Sequence, residues 1–495
     1  MSPDTAEMAV VEAPPAGAPF VPHAPPRRRI TGGVREQATV LPGTGARPRR
    51  GAWARALEWG AEWAAADPAR TAAVRDAWRA VWLSRALVWV AGIGTVATLG
   101  FGPVRNAFDP PGVTRGFGWL GDLLAAPAAR WDASWYLVIA HFGYRPELGA
   151  YTSARDAFFP LYPLGVGMLS RLGLQPVLAG VLFSVLALGF ALYALHRLTA
   201  LEFAGSGRAG ARDTARLAVY VTALTPMAFY FSAVYSESLY LALSVGVFWF
   251  ARRGRWMWVG VLGALAAATR STGVLLLAPA AMLYLYGPRE DRLADFPRRA
   301  RGLARRYRLR LDALWLALMP AGLFLYMAYL GLAGGSALAP LHSQQTWGRH
   351  FAGPYAGVWD GLKAAWAGVR QLASGQRAHV YYPLAGGSPF ITAGHNLMLL
   401  AFLAAAAPLL VAVVRMLPGA YGVYAIAALA LPLSYPVNPQ PLMSLARFLV
   451  VLFPLSMVVA AWLAGRPRAR APVLVCSAIA LMFFAAEFAT WHWVA

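Results

Sequence analysis

Between Arg130 and Pro163 the chain reads RWDASWYLVIAHFGYRPELGAYTSARDAFFPLYP, which gathers acidic, aromatic, histidine and proline residues into one short stretch. A carboxylate held beside aromatic rings at a membrane surface is partly desolvated, and that suits it to act as a general base toward a sugar hydroxyl. Asp132 is the candidate. It also precedes a helical run, Ala133 to Phe142, so a second reading makes it an N-cap that accepts backbone N–H bonds, with Trp131 and Trp135 as interfacial anchors. Asp156 comes just before Phe158-Phe159-Pro160-Leu161-Tyr162-Pro163, whose two prolines break a regular helix. It is a second acidic candidate, with a solvated loop aspartate as the competing reading. His141 adds a titratable ring near the end of the same run.

The elements that position these groups are membrane helices. Of 495 residues, 58% are hydrophobic and only 13% charged, and mean hydropathy is +0.49. Soluble domains carry about a quarter charged residues, so an ordinary soluble fold is excluded. The net charge of +22 comes from 43 Arg and one Lys. Its distribution between apolar segments points to membrane lipid as partner and not to nucleic acid. Cys476, the single cysteine, falls inside the last apolar segment, which rules out a disulfide framework and a cysteine metal site.

Residues 1–52 are rich in Pro, Ala and Gly and read as a disordered basic cytoplasmic tail. Residues 53–79 turn amphipathic, are interrupted at Asp67-Pro68, and read as a juxtamembrane helix lying along anionic lipid. The transmembrane domain then occupies 80–495. Its apolar segments fall at about 80–101, 176–196, 217–235, 237–251, 256–272, 273–287, 312–333, 394–414, 419–435, 448–465 and 472–493, near the length that crosses a bilayer except for the fourth and sixth, which are short. The expected fold is therefore an all-α polytopic membrane protein of about eleven transmembrane helices. With the N-terminus inside, 31 basic residues fall in cytoplasmic segments and 12 in outer ones, with Arg85 within the first helix. That imbalance sets the orientation. It leaves two long outer loops, 102–175 and 334–393, which carry Asp109, Asp122, Asp132, Glu147, Asp156 and Asp360, with Glu237 at a helix start on the same face. Loops of such length usually carry function.

The WDASWYLVIAHFGY segment followed by AFFPLYP resembles the PIG-V family of mannosyltransferases, and three further stretches agree: TPMAFYFSAVYSESLYL (225–241), AAATRSTGVLL (266–276) and SLARFLVVLFPL (444–455). The resemblance implies a GT-C glycosyltransferase at the plasma membrane. Its site would lie on the outer or lumenal face, with polyprenyl-phosphate mannose as donor and a glycolipid or cell-envelope component as acceptor. It makes the acidic residue of the first outer loop, here Asp132, the essential one.

Such a donor leaves as a phosphate monoester, which needs cationic partners but not the divalent ion that bridges a nucleotide diphosphate. The chain holds no D-x-D and no clustered histidines, so neither metal nor cofactor is expected. Arg270 and Arg447 lie in apolar segments near their outer ends, where an ionisable residue is costly, and are the candidate phosphate ligands. The bland alternative is that they snorkel to the interface. Glu237 is either a partner for an arginine or a sugar hydroxyl, or a charge favouring its helix N-terminus. In the second loop, HSQQTWGRHFAGP (342–354) supplies Gln345, Trp347, Arg349 and His350, an amide, a stacking face, a cation and a titratable imidazole suited to carbohydrate, with loop filler as the alternative. The face formed by Gly260, Gly263, Ala264 and Ala267 reads as helix packing through small residues. A transporter or flippase, and a non-catalytic subunit of a glycosylation complex, are the rival classes. No internal repeat supports the first, and an intact acidic residue at position 132 argues against the second.

Overall fold

The computed structural model describes residues 66–100, 119–144, 152–295, 305–333, 335–382 and 387–494. The tail expected over 1–52, residues 53–65, Asp109 and Glu147 lie outside them. Among the described residues there is helix and no strand. The helices of ten or more residues are α1 (Pro68–Leu99), α2 (Ala133–Phe142), α3 (Leu161–Arg171), α4 (Pro176–Glu202), α5 (Gly207–Leu224), α6 (Glu237–Arg252) and α7 (Trp256–Ala267). They continue as α8 (Leu277–Tyr286), α9 (Ala321–Leu332), α10 (Pro354–Ser374), α11 (Pro389–Met416), α12 (Gly419–Leu433), α13 (Phe453–Ala464) and α14 (Pro467–Ala489). The chain is a polytopic, all-helical membrane protein.

Four of these helices, α1, α4, α11 and α14, are long and apolar enough to cross a bilayer, and a fifth span forms if the 3₁₀ run Leu311–Leu318 and α9, bent by 42°, count as one. The other six expected segments are shorter or interrupted. A helix of twelve residues such as α7 or α13 is about 18 Å long against a hydrocarbon core of about 30 Å. The interruptions have local causes. Pro226 disfavours helical dihedrals at Thr225, which turns to φ −56, ψ 146 and ends α5. Arg270 is fully extended and ends the α7 region, and prolines 432, 436, 439 and 441 close α12.

Buried Arg85 of α1 holds the longest of these breaks in place. Its Nη1 donates to the carbonyl of Ala228 and to Ser232 Oγ, both at 2.8 Å. The Ala228 carbonyl is one that a continuous helix would have satisfied itself.

Helix is interrupted at Asp67, between helical Ala66 and Pro68: Asp67 Oδ1 accepts from the Arg70 N–H at 2.9 Å and Pro68 takes the first helical position, so residues 68–79 are the opening turns of α1. The second outer loop also holds more structure than expected. In α10, Gly357, Gly361, Ala364 and Gly368 are buried while Trp359 and Trp366 are each 61% exposed. The small face packs on α11 and α12 and leaves the tryptophans outward, as an interfacial helix requires.

Small residues set the closest approaches elsewhere too. A Cβ added at Gly322 of α9 would lie 1.9 Å from the Ala264 carbonyl oxygen of α7, and one at Gly260 would lie 2.3 Å from the Trp315 carbonyl. The face read from Gly260, Gly263 and Ala264 is indeed a packing face. Gly322→Ala is therefore expected to lower stability by about 1–3 kcal/mol. Gly189→Ala, at a helical position with nothing within 4 Å, is expected to hold or raise it. Thermal melting of the two variants in detergent checks this, and equal melting would contradict the packing.

Candidate active site

The breaks bring the four sequence motifs to one place. Trp131 adopts φ +56, a conformation costly for a bulky aromatic, and must be held there. The chain beyond α14 holds it. Trp131 Nε1 donates to the His492 carbonyl at 3.2 Å, and the ring meets Trp491 and Trp493 edge-on at 5.7 and 5.1 Å. Arg130 Nε donates to the Ala489 carbonyl at 3.0 Å, and its guanidinium lies 5.0 Å over Trp491. From the other side Tyr235 accepts the Asp132 N–H at 3.0 Å and donates its hydroxyl to the Arg130 carbonyl at 2.9 Å.

This turn decides how Asp132 is used. The residue has helical dihedrals, φ −60 and ψ −15, and makes no side-chain cap bond to α2, so the N-cap reading fails. Its carboxylate turns to Arg447, whose Nη1 donates to Oδ2 at 2.5 Å. Arg447 lies on the short helix Leu445–Val450. Its Nε donates to Glu237 Oε1, and the same oxygen accepts from Arg270 Nη1 at 2.9 Å. Asp132, Arg447, Glu237 and Arg270 thus form one chain of charges. Glu237 is wholly buried at the first turn of α6, and its Oε2 is buried without a hydrogen-bond partner. It serves both readings given to it, as a helix N-terminal acid and as an arginine holder.

Neither arginine snorkels. The Arg447 guanidinium lies 4.7 Å over the Tyr235 ring and 5.6 Å over Tyr230; that of Arg270 lies 5.5 Å over Phe448 and 5.9 Å over Tyr240. Among the described residues no set of three His, Cys, Asp or Glu side chains converges to hold a metal ion.

Known proteins carry the same central segment. Residues 113–288 match the family model described as mannosyltransferase (PIG-V). Through that segment the chain is similar to the PIG-V mannosyltransferases. GPI alpha-1,6-mannosyltransferase 2 of Cricetulus griseus is 32% identical over 177 residues, 34% of this chain and 34% of that protein; the Rattus norvegicus protein of that name is 32% identical over 177 residues, 34% and 35% of the two chains. The Mus musculus one is 33% identical over 163 residues, 30% of each. The chain therefore spans about a third of the length of the curated relatives it matches. No solved structure matches.

The PIG-V segment contains Asp132, Glu237 and Arg270, whereas Arg447 and the second-loop residues come from beyond it. Trp347 meets Trp135 and Phe158 edge-on at 6.5 and 6.0 Å, and Trp135 stacks on Phe158 at 5.9 Å, so both long loops share an aromatic wall. Arg349 comes close enough to interact with Asp132 and Arg447. Burial holds its guanidinium below the usual range, Asp132 opposes that shift and Arg447 adds to it. Gln345 is exposed on the adjoining turn. His141 is exposed near the far end of α2, about 13 Å along the helix axis from Asp132, and is not brought to the ion chain. Sequence reasoning missed Tyr235 and the Trp491-His492-Trp493 clamp. The available signals were the tyrosine of YSES and the polar-aromatic run Thr490 to Trp493 that follows the last apolar helix.

Asp156 belongs to a separate neighbourhood. Tyr326 of α9 donates to its carbonyl at 3.0 Å and Tyr144 to that of Phe158 at 2.5 Å. Burial pushes the Asp156 carboxyl up to about 6, with Arg155 opposing. A folded-state value raised above the ordinary 3.8 means that the folded form prefers the proton, so this contribution to stability is complete below about pH 4 and is lost as pH rises through about 6. Asp156→Asn is expected to remove that loss and to melt higher than the wild type above pH 6, with the difference closing near pH 4. Melting temperature against pH for both proteins checks it.

Proposed function

We propose that this chain is an integral-membrane mannosyltransferase that moves mannose from a polyprenyl-phosphate donor to a glycolipid or other cell-envelope acceptor, by inverting transfer without a metal ion. The observation that carries the reading is the ion chain itself, in which a candidate base, Asp132, is tied to a candidate phosphate ligand, Arg447, in a site built of four motifs. The two roles exclude one another until donor arrives. A phosphate oxygen competes with Asp132 Oδ2 for the Arg447 guanidinium, a charge-assisted contact of the kind arginine makes best. Glu237 keeps Arg447 and Arg270 oriented during that exchange, and Arg349 adds positive charge toward the incoming anion.

The released Asp132 carboxylate then takes the proton from the acceptor hydroxyl as its oxygen bonds to the anomeric carbon. The bond from that carbon to the phosphate oxygen breaks, and its electron pair leaves with the phosphate. One displacement on the face opposite the phosphate inverts the centre, so a β-linked donor yields an α-mannoside. Trp135, Phe158 and Trp347 offer apolar faces for the sugar ring.

Membranes holding the wild-type protein are expected to transfer labelled mannose from polyprenyl-phosphate mannose with full activity in EDTA. Asp132→Asn removes the base but leaves Arg447 paired with Glu237, so turnover is expected to fall about 10²–10⁴-fold while the protein stays folded. Transfer that needs an added divalent ion, or a fully active Asp132→Asn, would sink the mechanism.

The proposed orientation places the N-terminus in the cytoplasm and the ion chain on the outer side, because 31 basic residues then fall in cytoplasmic segments against 12 in outer ones. After Cys476→Ser, cysteine at position 350 is expected to react with an impermeant thiol reagent in intact cells, and cysteine at position 253 only after lysis. The reverse labelling would overturn the orientation.

A further inference from the structure

We propose that a groove at the end of the bundle opposite Asp132 binds an anionic phospholipid as a defined ligand. The groove lies among α1, α5 and α14 and has a volume of about 910 Å³. Each wall runs from basic to apolar in the same direction. On α1 the lining residues are Arg75, Arg79, Leu83 and Leu87; on α5, Arg212, Arg216, Tyr220 and Leu224; on α14, Arg470, Leu474 and Ala478. Residues four apart share one helix face, so three stripes face one another with guanidinium groups at the mouth and hydrocarbon beneath.

The mouth is left positive. Five arginines line it against two aspartates, so three positive charges are in excess. Asp213 accepts from Arg470 at 2.6 Å and from Arg216 at 2.9 Å; Asp76 lies 3.3 Å from His196 and 4.0 Å from Arg75. Neither acid pairs with Arg79 or Arg212, which leaves both guanidinium groups to meet a phosphate headgroup at the mouth. The apolar walls below suit acyl chains, which a free anion lacks and which distinguish a lipid from a soluble phosphate compound.

The test uses the full-length protein in neutral detergent, offered phosphatidylglycerol, phosphatidylcholine or inorganic phosphate. Retained lipid is read by native mass spectrometry, and the melting temperature alongside it. Phosphatidylglycerol is expected to stay bound and to raise the melting temperature, while phosphatidylcholine and inorganic phosphate do neither. The pair Arg79→Gln and Arg212→Gln is expected to cut phosphatidylglycerol binding about fivefold for each arginine removed. Arg79→Lys with Arg212→Lys should keep most of it, which separates lost charge from lost folding. The control pair Arg255→Gln and Arg468→Gln changes net charge equally outside the groove and is expected to stay near wild type. Equal loss in the control pair, equal retention of phosphatidylcholine, or equal protection by inorganic phosphate would each overturn the proposal.

Discussion

The structure depends on keeping Glu237 charged where no water reaches it. An ionised carboxylate buried among apolar helices is tolerated only when cations and donors replace its hydration. Arg270 and Arg447 both donate to one of its oxygens, and Arg447 in turn meets Asp132. Two acids and two arginines make a neutral chain. Removing one partner of a buried pair leaves a charge uncompensated, typically at about 3–5 kcal/mol, so each member constrains the placement of the others.

That constraint explains why so many helices stop short at one end. A continuous helix through 217–251 would carry Glu237 past the place where Arg270 and Arg447 approach. Instead the chain leaves helix after Leu224 and starts α6 at Glu237 itself. The freed carbonyls are met by Arg85 from α1. Extended Arg270 and the left-handed Ser444 end or begin neighbouring segments at the same level.

Much of this was legible in the sequence, and the limits were physical. Apolar segments betray helices because burial in lipid leaves the backbone no other option, and an arginine or a glutamate inside such a segment is costly enough to mark a site by itself. Glu237, Arg270 and Arg447 were legible on that ground, and Asp132 from its aromatic neighbours in the first outer loop. Which acid meets which base was not, since the partners lie 315 and 210 positions apart along the chain. The use of Asp132 was likewise ambiguous: a cap and an ion-pair partner look the same until φ and ψ at the turn are known. Nor did apolarity distinguish a span from an interrupted one at 217–235, or reveal α10, whose glycine and alanine spacing carries little hydropathy contrast.

The same separation bears on what the family segment can do alone. Residues 113–288 contribute Asp132, Glu237 and Arg270, but the second guanidinium comes from Arg447, the outer aromatic wall from Trp347, and the clamp on the strained turn from Ala489 to Trp493. Without Arg447, Glu237 would keep one cation and Asp132 would lose the pairing that draws it off the helix end. The central motifs therefore become a site only when the last helix has returned to the first, and the contacts between α14 and α1 are what bring that end of the chain back to Trp131.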